Sequence, residues 1–268
     1  MSDSEESEIA PPSSLNRSGS GSDTDNESLS LAQIPPPTKP PSKEKLLYDS
    51  IYDRFPDNYG KKLSRDERKR EGYISSTLAY GEIMFESFEE LFDIILAYSG
   101  NEGNSNSTDK SQTNILTQPD LTFVDVGCGT GKPVFAAALL HPFKKVIGIE
   151  ILEDLYKNCV DNLQFWLKNV KPQLGEDRAQ SLQFSFLHHD ANLVDWADAD
   201  VVFMNSTCFT AALMLNLSVK CRALKEGTII ISITRRVIGK QYKLIEERKM
   251  MESWGEATVY IQKRVESE

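Results

Sequence analysis

The chain is poor in the residues that build disulfide frameworks and metal sites. Its 4 cysteines form no C-x-x-C pair and its 3 histidines have no metal-ligand spacing, so we expect reduced thiols and no bound metal. No apolar run approaches the length of a membrane-spanning helix, and the first residues contain no apolar leader. We therefore expect an intracellular protein, in the nucleus or the cytoplasm, that does not cross a membrane.

The chain also has fewer basic than acidic residues. The 268 residues include 30 Lys and Arg against 40 Asp and Glu, which gives a net charge of −10. This balance argues against a broad surface for nucleic-acid phosphates, so we expect direct nucleic-acid binding to be weak or absent. The one basic cluster, residues 61–70, has three interpretations: a solvated helix face with Asp66 and Glu67 interleaved, a contact for an acidic partner, or an import signal.

Composition divides the chain into four parts. Residues 1–42 are rich in Ser, Glu, Asp, Gly and Pro, and they cannot bury enough apolar surface to fold, so a disordered tail is expected. Residues 43–98 carry apolar and aromatic side chains at helical spacing and predict a helical N-terminal region. Residues 99–114 are rich in Gly, Asn, Ser and Thr, which is typical of a flexible insertion. Residues 115–268 form the predicted core.

In the core, predicted strands alternate with predicted helices. The apolar runs that predict strands lie at residues 121–126, 145–150, 182–186, 200–205, 228–233 and 257–261. A charged helix that ends near Met251 is expected before the last of them. This alternation predicts an α/β protein whose parallel sheet is covered by helices on both faces. Ligands bind such sheets at the carboxyl ends of the strands.

The turn after the first strand is the strongest local motif. Three glycines follow that strand at alternate positions: Gly127, Gly129 and Gly131. Such a turn lets the backbone approach a ligand closely, and the helix that begins at about Pro133 presents free N–H groups to it. A dinucleotide fingerprint needs its third glycine one position later, where this chain has Lys132. Asp125, just before the glycines, suits instead a ligand with an amino group and a positive centre.

A second acid lies where a ribose is held in nucleoside-binding sheets. The second strand ends at Glu150, which lies 19 residues after Gly131, and an acid at that distance binds the ribose hydroxyls. Together, the glycine turn and Glu150 resemble the first motif of the S-adenosylmethionine-dependent methyltransferases, the class I Rossmann-like enzymes.

Three further stretches are similar to one family within that class. They are the loop Tyr80, Gly81 and Glu82, the segment from Asn205 to Phe209 after strand four, and the segment Ser253, Trp254 and Gly255 with Tyr260 downstream. Over residues 77–262 the chain resembles the disruptor-of-telomeric-silencing histone lysine methyltransferases. Two features depart from the pattern of that family. Ile83 replaces a threonine, and the last motif is one residue short, which leaves the register of Tyr260 open.

The resemblance implies a fold and a cofactor. The fold is a mostly parallel, Rossmann-like class I methyltransferase sheet with an antiparallel last strand and a helical N-terminal extension, and the cofactor is S-adenosylmethionine. By the same resemblance, Glu150 accepts from the ribose hydroxyls, and Asp190, after strand three, accepts from the adenine amino group. Asp125 and Glu82 hold the methionine amino group, Tyr80 packs against the methionine end, and the three glycines leave room for its carboxylate.

The resemblance also implies the reaction, which is methyl transfer to a protein lysine, with a histone or a nucleosome as the candidate substrate. Asn205 orients the methyl acceptor, and Phe209, Trp254 and Tyr260 line an apolar channel for the lysine stem. Two alternatives stay open. One is a class I methyltransferase for another acceptor, such as an RNA base or a small amine, and the other is a cofactor-binding adaptor without turnover. The sequence gives no indication of the oligomeric state.

Overall fold

The computed structural model describes residues 40–73, 78, 80–102 and 115–266. Most of the expected disordered tail and of the expected flexible insertion therefore lies outside the described residues. The chain divides into two units, Met1–Pro40 and Pro41–Glu268, and all the elements below belong to the second.

The N-terminal extension is helical, as the resemblance implies. It contains α1 (Lys43–Tyr52), α2 (Tyr59–Arg70) and α3 (Phe85–Glu102). α1 begins after Ser42, whose hydroxyl accepts a hydrogen bond from the Lys45 N–H at 3.1 Å, a typical helix cap. α3 continues past its predicted end at Tyr98 as far as Glu102. The first residues of the expected insertion are therefore helical.

The core contains a seven-stranded sheet. Its strands are β1 (Thr122–Val126), β2 (Lys145–Glu150), β3 (Gln183–His188), β4 (Val201–Met204), β5 (Ile229–Ile233), β6 (Tyr242–Glu252) and β7 (Gly255–Arg264). Their order across the sheet is β3-β2-β1-β4-β5-β7-β6. β1 to β5 pair in parallel, and β7 runs antiparallel to both of its neighbours. The mostly parallel class I sheet with an antiparallel last strand is thereby confirmed.

Helices from the core cover the sheet together with the N-terminal extension. They are α4 (Lys132–Leu140), α5 (Glu153–Phe165), α6 (Glu176–Ser181) and α7 (Ala211–Lys220). α6 is not predicted from the sequence, because its residues bury no apolar side chain. Its Arg178 donates to the main-chain oxygens of Ala138 at 2.8 Å and His141 at 2.7 Å. α6 therefore fastens the end of α4 through polar contacts rather than through an apolar face.

The charged helix predicted to end near Met251 is wrong, because this segment is the strand β6. It pairs with β7 from Tyr242 to Glu252. Its Glu, Lys, Arg and Met residues have high intrinsic helix propensity, which the pairing with β7 overrides. Only Tyr242, Met250 and Glu252 are buried in this strand, so the sequence shows no regular alternation of apolar residues.

Aromatic rings fix α3 to the sheet. Phe88 of α3 has no exposed surface. Its ring centroid lies 5.2 Å from that of Phe203 in β4 and 6.0 Å from that of Phe123 in β1.

Among the described helices, including those of this extension, none is long and apolar enough to cross a membrane.

Removing the Phe88 ring is expected to loosen the N-terminal extension from the core. We expect Phe88→Ala to lower the free energy of unfolding by about 3–5 kcal/mol, because it leaves a cavity between α3 and two strands. Urea denaturation measures the change. Leu96→Ala on the same helix is the control, since this side chain is 41% exposed, and it should cost less than about 1 kcal/mol. An equal loss of unfolding free energy in the two variants would contradict the packing of Phe88 between α3 and the sheet.

The tip of the β6–β7 hairpin docks on α3 and on the loop before it. The Ser87 hydroxyl donates to the Met251 oxygen at 2.8 Å, and the Ser253 hydroxyl donates to the Glu82 oxygen at 2.9 Å. Between these contacts, Glu252 is 3% exposed, and its carboxylate oxygens have no hydrogen-bond partner among the described residues. Burial raises the pKa of Glu252 to about 7.

Glu252 should make the stability depend on pH. Because the fold favours its protonated form, its contribution is present below the reference pKa of 4.5 and is lost as the pH rises through about 7. We expect Glu252→Gln, which is neutral, to be more stable than the native chain at about pH 8 and to lose that advantage at about pH 5. Urea unfolding at both pH values measures this difference.

Glu256→Gln, on the exposed face of the same hairpin, is the matched control and should show the same pH dependence of unfolding as the native chain. An advantage of Glu252→Gln that is the same at both pH values would mean that the Glu252 carboxyl does not titrate in this range.

Candidate active site

The glycine turn brings the ends of β1 and β2 and the Tyr80 loop together. Gly127, Gly129 and Gly131 have φ angles of 80°, 57° and 83°, a left-handed conformation that glycine adopts at no steric cost. The N–H groups of Gly127 and Cys128 donate to the Ile149 oxygen of β2 at 2.9 and 3.0 Å. A Cβ atom on Gly129 would lie 2.2 Å from the Tyr80 ring. The turn therefore needs glycine both for its conformation and for this contact.

Asp125 lies at the end of β1, directly beneath the turn. It is 1% exposed, and neither carboxylate oxygen has a hydrogen-bond partner among the described residues. Burial, and secondly the charge of Glu150, hold the pKa of Asp125 well above its usual range. Asp125 lines a small cavity of about 20 Å³ together with Asn205, whose buried Oδ1 has no hydrogen-bond partner in the described part of the chain. A buried carboxylate without a donor among the described residues favours a cationic N–H group.

The loop with Tyr80 and Glu82 closes over the turn. The Tyr80 hydroxyl donates to Glu82 Oε1 at 2.6 Å and is hydrogen-bonded to Thr130 Oγ1 at 2.8 Å. Lys132 Nζ donates to Glu82 Oε2 at 2.5 Å. Burial and the nearby Glu82 charge raise the pKa of Tyr80. The loop and the turn are thus joined by a chain of side-chain hydrogen bonds, and the Glu82 carboxylate is already paired with a cation.

Lys132 is a site residue that the sequence reasoning missed. It occupies the position that a dinucleotide fingerprint reserves for glycine, and the structure places it beside Asp125 in the wall of the small cavity. Ile83, which replaces a threonine of the related family, lines the same cavity and is 4% exposed. A basic residue directly after the third glycine, at the start of a helix, is the signal that would have identified Lys132.

Glu150 ends β2 with its carboxylate held by main-chain donors. Oε2 accepts from the Gly129 N–H at 2.8 Å. Oε1 accepts from the N–H groups of Ile151 and Leu152 at 2.8 and 2.9 Å. Burial raises the pKa of Glu150, and these three donors oppose the shift. Because a carboxylate offers about four acceptor positions, at least one remains for a ligand.

Asp190 follows β3 at the far end of the same cleft. Its Oδ1 accepts from the main-chain and side-chain nitrogens of Asn192 at 2.8 and 3.0 Å. Its Oδ2 accepts no hydrogen bond from the described residues. Asp190, its neighbour His189 and Glu150 all line a cleft of about 590 Å³, a volume that suits a small-molecule ligand.

The residues expected to bind the methyl acceptor are only partly brought together. Asn205, Phe209 and Trp254 line the large cleft together with Gly81. Asn205 donates from Nδ2 to the Gly81 oxygen at 3.0 Å, and a Cβ atom on Gly81 would lie 3.1 Å from the Trp254 ring. Tyr260 is not among the residues that line the cleft. It pairs with Ser232 and Glu247 inside the sheet, so the structure does not bring it to the other three.

The basic cluster forms α2, but one of its acids is not on a solvated face. Glu67 is 3% exposed, whereas Lys61, Lys62 and Arg65 are exposed. The interpretation of Glu67 as an interleaved surface charge is therefore wrong. Its helical spacing from Ser64 and Gly60, which are also buried, is the signal that would have placed it on the inner face. Within the described residues, no group of three or more His, Cys, Asp and Glu side chains is arranged to hold a metal ion.

Comparison with known proteins places the chain in a family. The model of the family "Histone methylation protein DOT1" matches residues 102–262. The chain is 32% identical over 133 residues to a histone-lysine N-methyltransferase, H3 lysine-79 specific, of Caenorhabditis elegans, which covers 48% of this chain and 14% of the relative. It is 28% identical over 199 residues to the protein of the same name in Debaryomyces hansenii, covering 72% of this chain and 15% of that relative. The chain thus spans a small part of the length of these relatives.

Solved structures with a related fold are more distant. An RNA methyltransferase from Salinibacter ruber in complex with S-adenosyl-L-homocysteine is 23% identical, with a TM-score of 0.41 over 55% of this chain and 82% of that chain. A tRNA methyltransferase from Bacillus subtilis is 14% identical, with a TM-score of 0.41 over 59% of this chain and 67% of that chain.

The family match extends from the end of α3 through the glycine turn and the cleft to the last strand of the sheet, and it covers more than half of the chain. The family that the sequence resembles is confirmed, and the chain belongs to the DOT1 family of histone methylation proteins.

Proposed function

We propose that this chain binds S-adenosylmethionine and transfers its methyl group to the amino group of a histone lysine. The observation that supports this proposal best is the buried carboxylate of Asp125, which has no hydrogen-bond donor among the described residues. It lines a small cavity that shares Gly127 and Asn205 with the ligand-sized cleft. The family and the names of the relatives favour a histone substrate. A histone substrate would place the protein in the nucleus.

In this proposal, each polar group of the cofactor has a partner among the residues that line the cleft and the small cavity. Asp125 would accept from its cationic amino group, which would supply the donor that the buried carboxylate lacks. Lys132 and the N–H groups at the start of α4 would face its carboxylate. The remaining acceptor position of Glu150 would bind the ribose hydroxyls, and Asp190 Oδ2 would accept from the adenine amino group.

Residues on the acceptor side have a different task. When bound, S-adenosylmethionine supplies a methyl group that its sulfonium has already activated. The chain must therefore align an uncharged amine, which Asn205 would do from the end of β4. Deprotonating a lysine with an ordinary pKa of about 10.4 costs roughly 4–5 kcal/mol at neutral pH. The apolar walls of Phe209 and Trp254 would lower this cost because they disfavour the ammonium form.

Asp125 should link cofactor affinity to pH. Because the pKa of Asp125 is raised in the free chain, the carboxyl must lose its proton when the cationic amino group binds. We expect S-adenosylhomocysteine to bind more tightly as the pH rises toward that pKa, with release of a proton. Asp125→Asn should weaken binding by roughly 10- to 100-fold and remove the pH dependence, since it loses a charge-assisted hydrogen bond.

Calorimetry in two buffers of different ionisation enthalpy measures both the affinity and the proton release. Methylthioadenosine, which lacks the amino-acid part, is the control ligand, and Asp125→Asn should leave its affinity unchanged. Loss of affinity for both ligands would show that the substitution acts on the fold rather than on the amino group.

Transfer of radioactive methyl groups identifies the acceptor. We expect the chain, given tritiated S-adenosylmethionine, to label histone lysines in nucleosomes. Asn205→Ala should lower this rate by about 100-fold, as expected for loss of a group that aligns the reactants, while the affinity for S-adenosylhomocysteine stays within about threefold.

Label on RNA or on a small amine instead of protein would refute the lysine assignment. Cofactor binding without label on nucleosomes, free histones, other proteins or RNA would favour the non-catalytic adaptor. A variant at Asn205 that is as fast as the native chain would remove this residue from the proposed mechanism.

A further inference from the structure

A buried carboxylate outside the cleft, that of Glu67 in α2, binds the start of α5. Its Oε1 accepts from the Glu153 N–H, and its Oε2 accepts from the Asp154 N–H, each at 2.8 Å. Glu67 is separated from these residues by more than 80 positions in the chain and is 3% exposed. Glu67 makes none of the proposed contacts with the cofactor.

Glu150 and Glu67 accept hydrogen bonds from main-chain N–H groups that follow one another in the chain. Glu150 takes the N–H groups of residues 151 and 152, and Glu67 takes those of residues 153 and 154. Four consecutive N–H groups, which a helix start cannot pair internally, are thus shared between two carboxylates. One belongs to the proposed ribose site, and the other belongs to the N-terminal extension.

This division keeps the Glu150 carboxylate in place. The positive end of α5 attracts both carboxylates, while the charge of Glu67 adds to the burial that raises the pKa of Glu150. If Glu67 were absent, the part-buried N–H groups of Glu153 and Asp154 would lose the acceptors that they have in the fold. The Glu150 carboxylate would then be drawn toward them and away from the Gly129 N–H.

The same helix contacts the opposite end of the cleft. The Ser64 hydroxyl of α2 donates to the Leu78 oxygen at 2.8 Å, just before the Tyr80 loop. Gly60 packs against the Tyr80 ring, where a Cβ atom would lie 2.4 Å from the nearest ring carbon. α2 therefore spans from the start of α5 to the loop that covers the glycine turn.

We infer that Glu67 is a positioning residue for the ribose end of the site, which acts by holding the donors of α5 so that Glu150 faces the ligand. The inference rests on the proposed function only for the identity of the ligand. It assigns a role in the cofactor site to an acid in the basic cluster of the sequence.

A double-mutant cycle tests whether Glu67 acts through Glu150. Gln at position 67 can accept only one of the two hydrogen bonds, because its amide nitrogen is a donor. We expect Glu67→Gln to weaken S-adenosylhomocysteine binding by about 10-fold in the native background and by less than about twofold in the Glu150→Gln background. Calorimetry gives the affinities. Equal losses in both backgrounds, or a loss below about twofold in the native background, would overturn the inference.

Arg70→Ala is the matched control. Arg70 lies on the same helix and pairs with Asp154 at 2.9 Å, but its side chain is 50% exposed. An exposed pair of this kind contributes little, so this variant should change the affinity by less than about twofold. A loss as large as that of Glu67→Gln would show that any weakening of the contact between α2 and α5 has the same effect, which would also overturn the inference.

Amide hydrogen exchange in the native chain gives a test that needs no variant and no ligand. The amides of Glu153 and Asp154 should exchange at least about 100-fold more slowly than those of Ala211 and Ala212 in the first turn of α7. Similar exchange rates at the two helix starts would overturn the inference even if Glu67→Gln fails to fold. Absence of S-adenosylhomocysteine binding in the native chain would reject the proposed function, whereas this exchange measurement would still decide the role of Glu67 at α5.

Discussion

The unpaired carboxylate of Asp125 is the constraint from which the arrangement of the site follows. Burying a carboxylate without a partner is unfavourable, and for this reason burial raises the pKa of Asp125. The fold confines the cost to one small cavity and surrounds it with the glycine turn, Asn205 and the Tyr80 loop. In the proposed complex, a bound ammonium would remove this cost, so part of the proposed affinity for the cofactor would come from an unfavourable burial in the free fold.

The Tyr80 ring shows how closely the N-terminal extension and the core depend on each other. It lies between Gly60 of α2 and Gly129 of the turn, and a Cβ atom on either glycine would lie less than 3.0 Å from the ring. The β6–β7 hairpin also contacts the Tyr80 loop, because the Trp254 ring packs on Gly81 and the Ser253 hydroxyl donates a hydrogen bond to the Glu82 main-chain oxygen. The extension is thus part of the site and not an appendage to it.

The residues that could be predicted from the sequence are those whose role depends on local chain geometry. Gly127, Gly129 and Gly131 follow a buried strand directly, and their positive φ angles are what such a turn requires. Asp125 and Glu150 end neighbouring parallel strands, so the expected sheet already places them at one edge. Their roles toward a ligand stay proposals.

The residues that were missed depend on contacts between distant segments. Glu67 has polar neighbours in sequence, and only the packing of α2 on α5 shows why it is buried. Tyr260 was proposed by resemblance to a tyrosine downstream of the last motif of the family, with its register left open, and β7 pairs this position with Ser232 and Glu247. β6 was mistaken for a helix because a strand with so few buried residues has no periodic apolar signal.

The composition that concealed β6 has a benefit for the folded protein. β6 forms one outer edge of the sheet, and an unpaired edge is a template on which strands of other molecules can add. Lys243, Glu247 and Lys249 are exposed along it, and an incoming strand would have to strip water from these charges. The segment that resembles a helix in sequence therefore serves as a barrier against amyloid-like growth of the sheet.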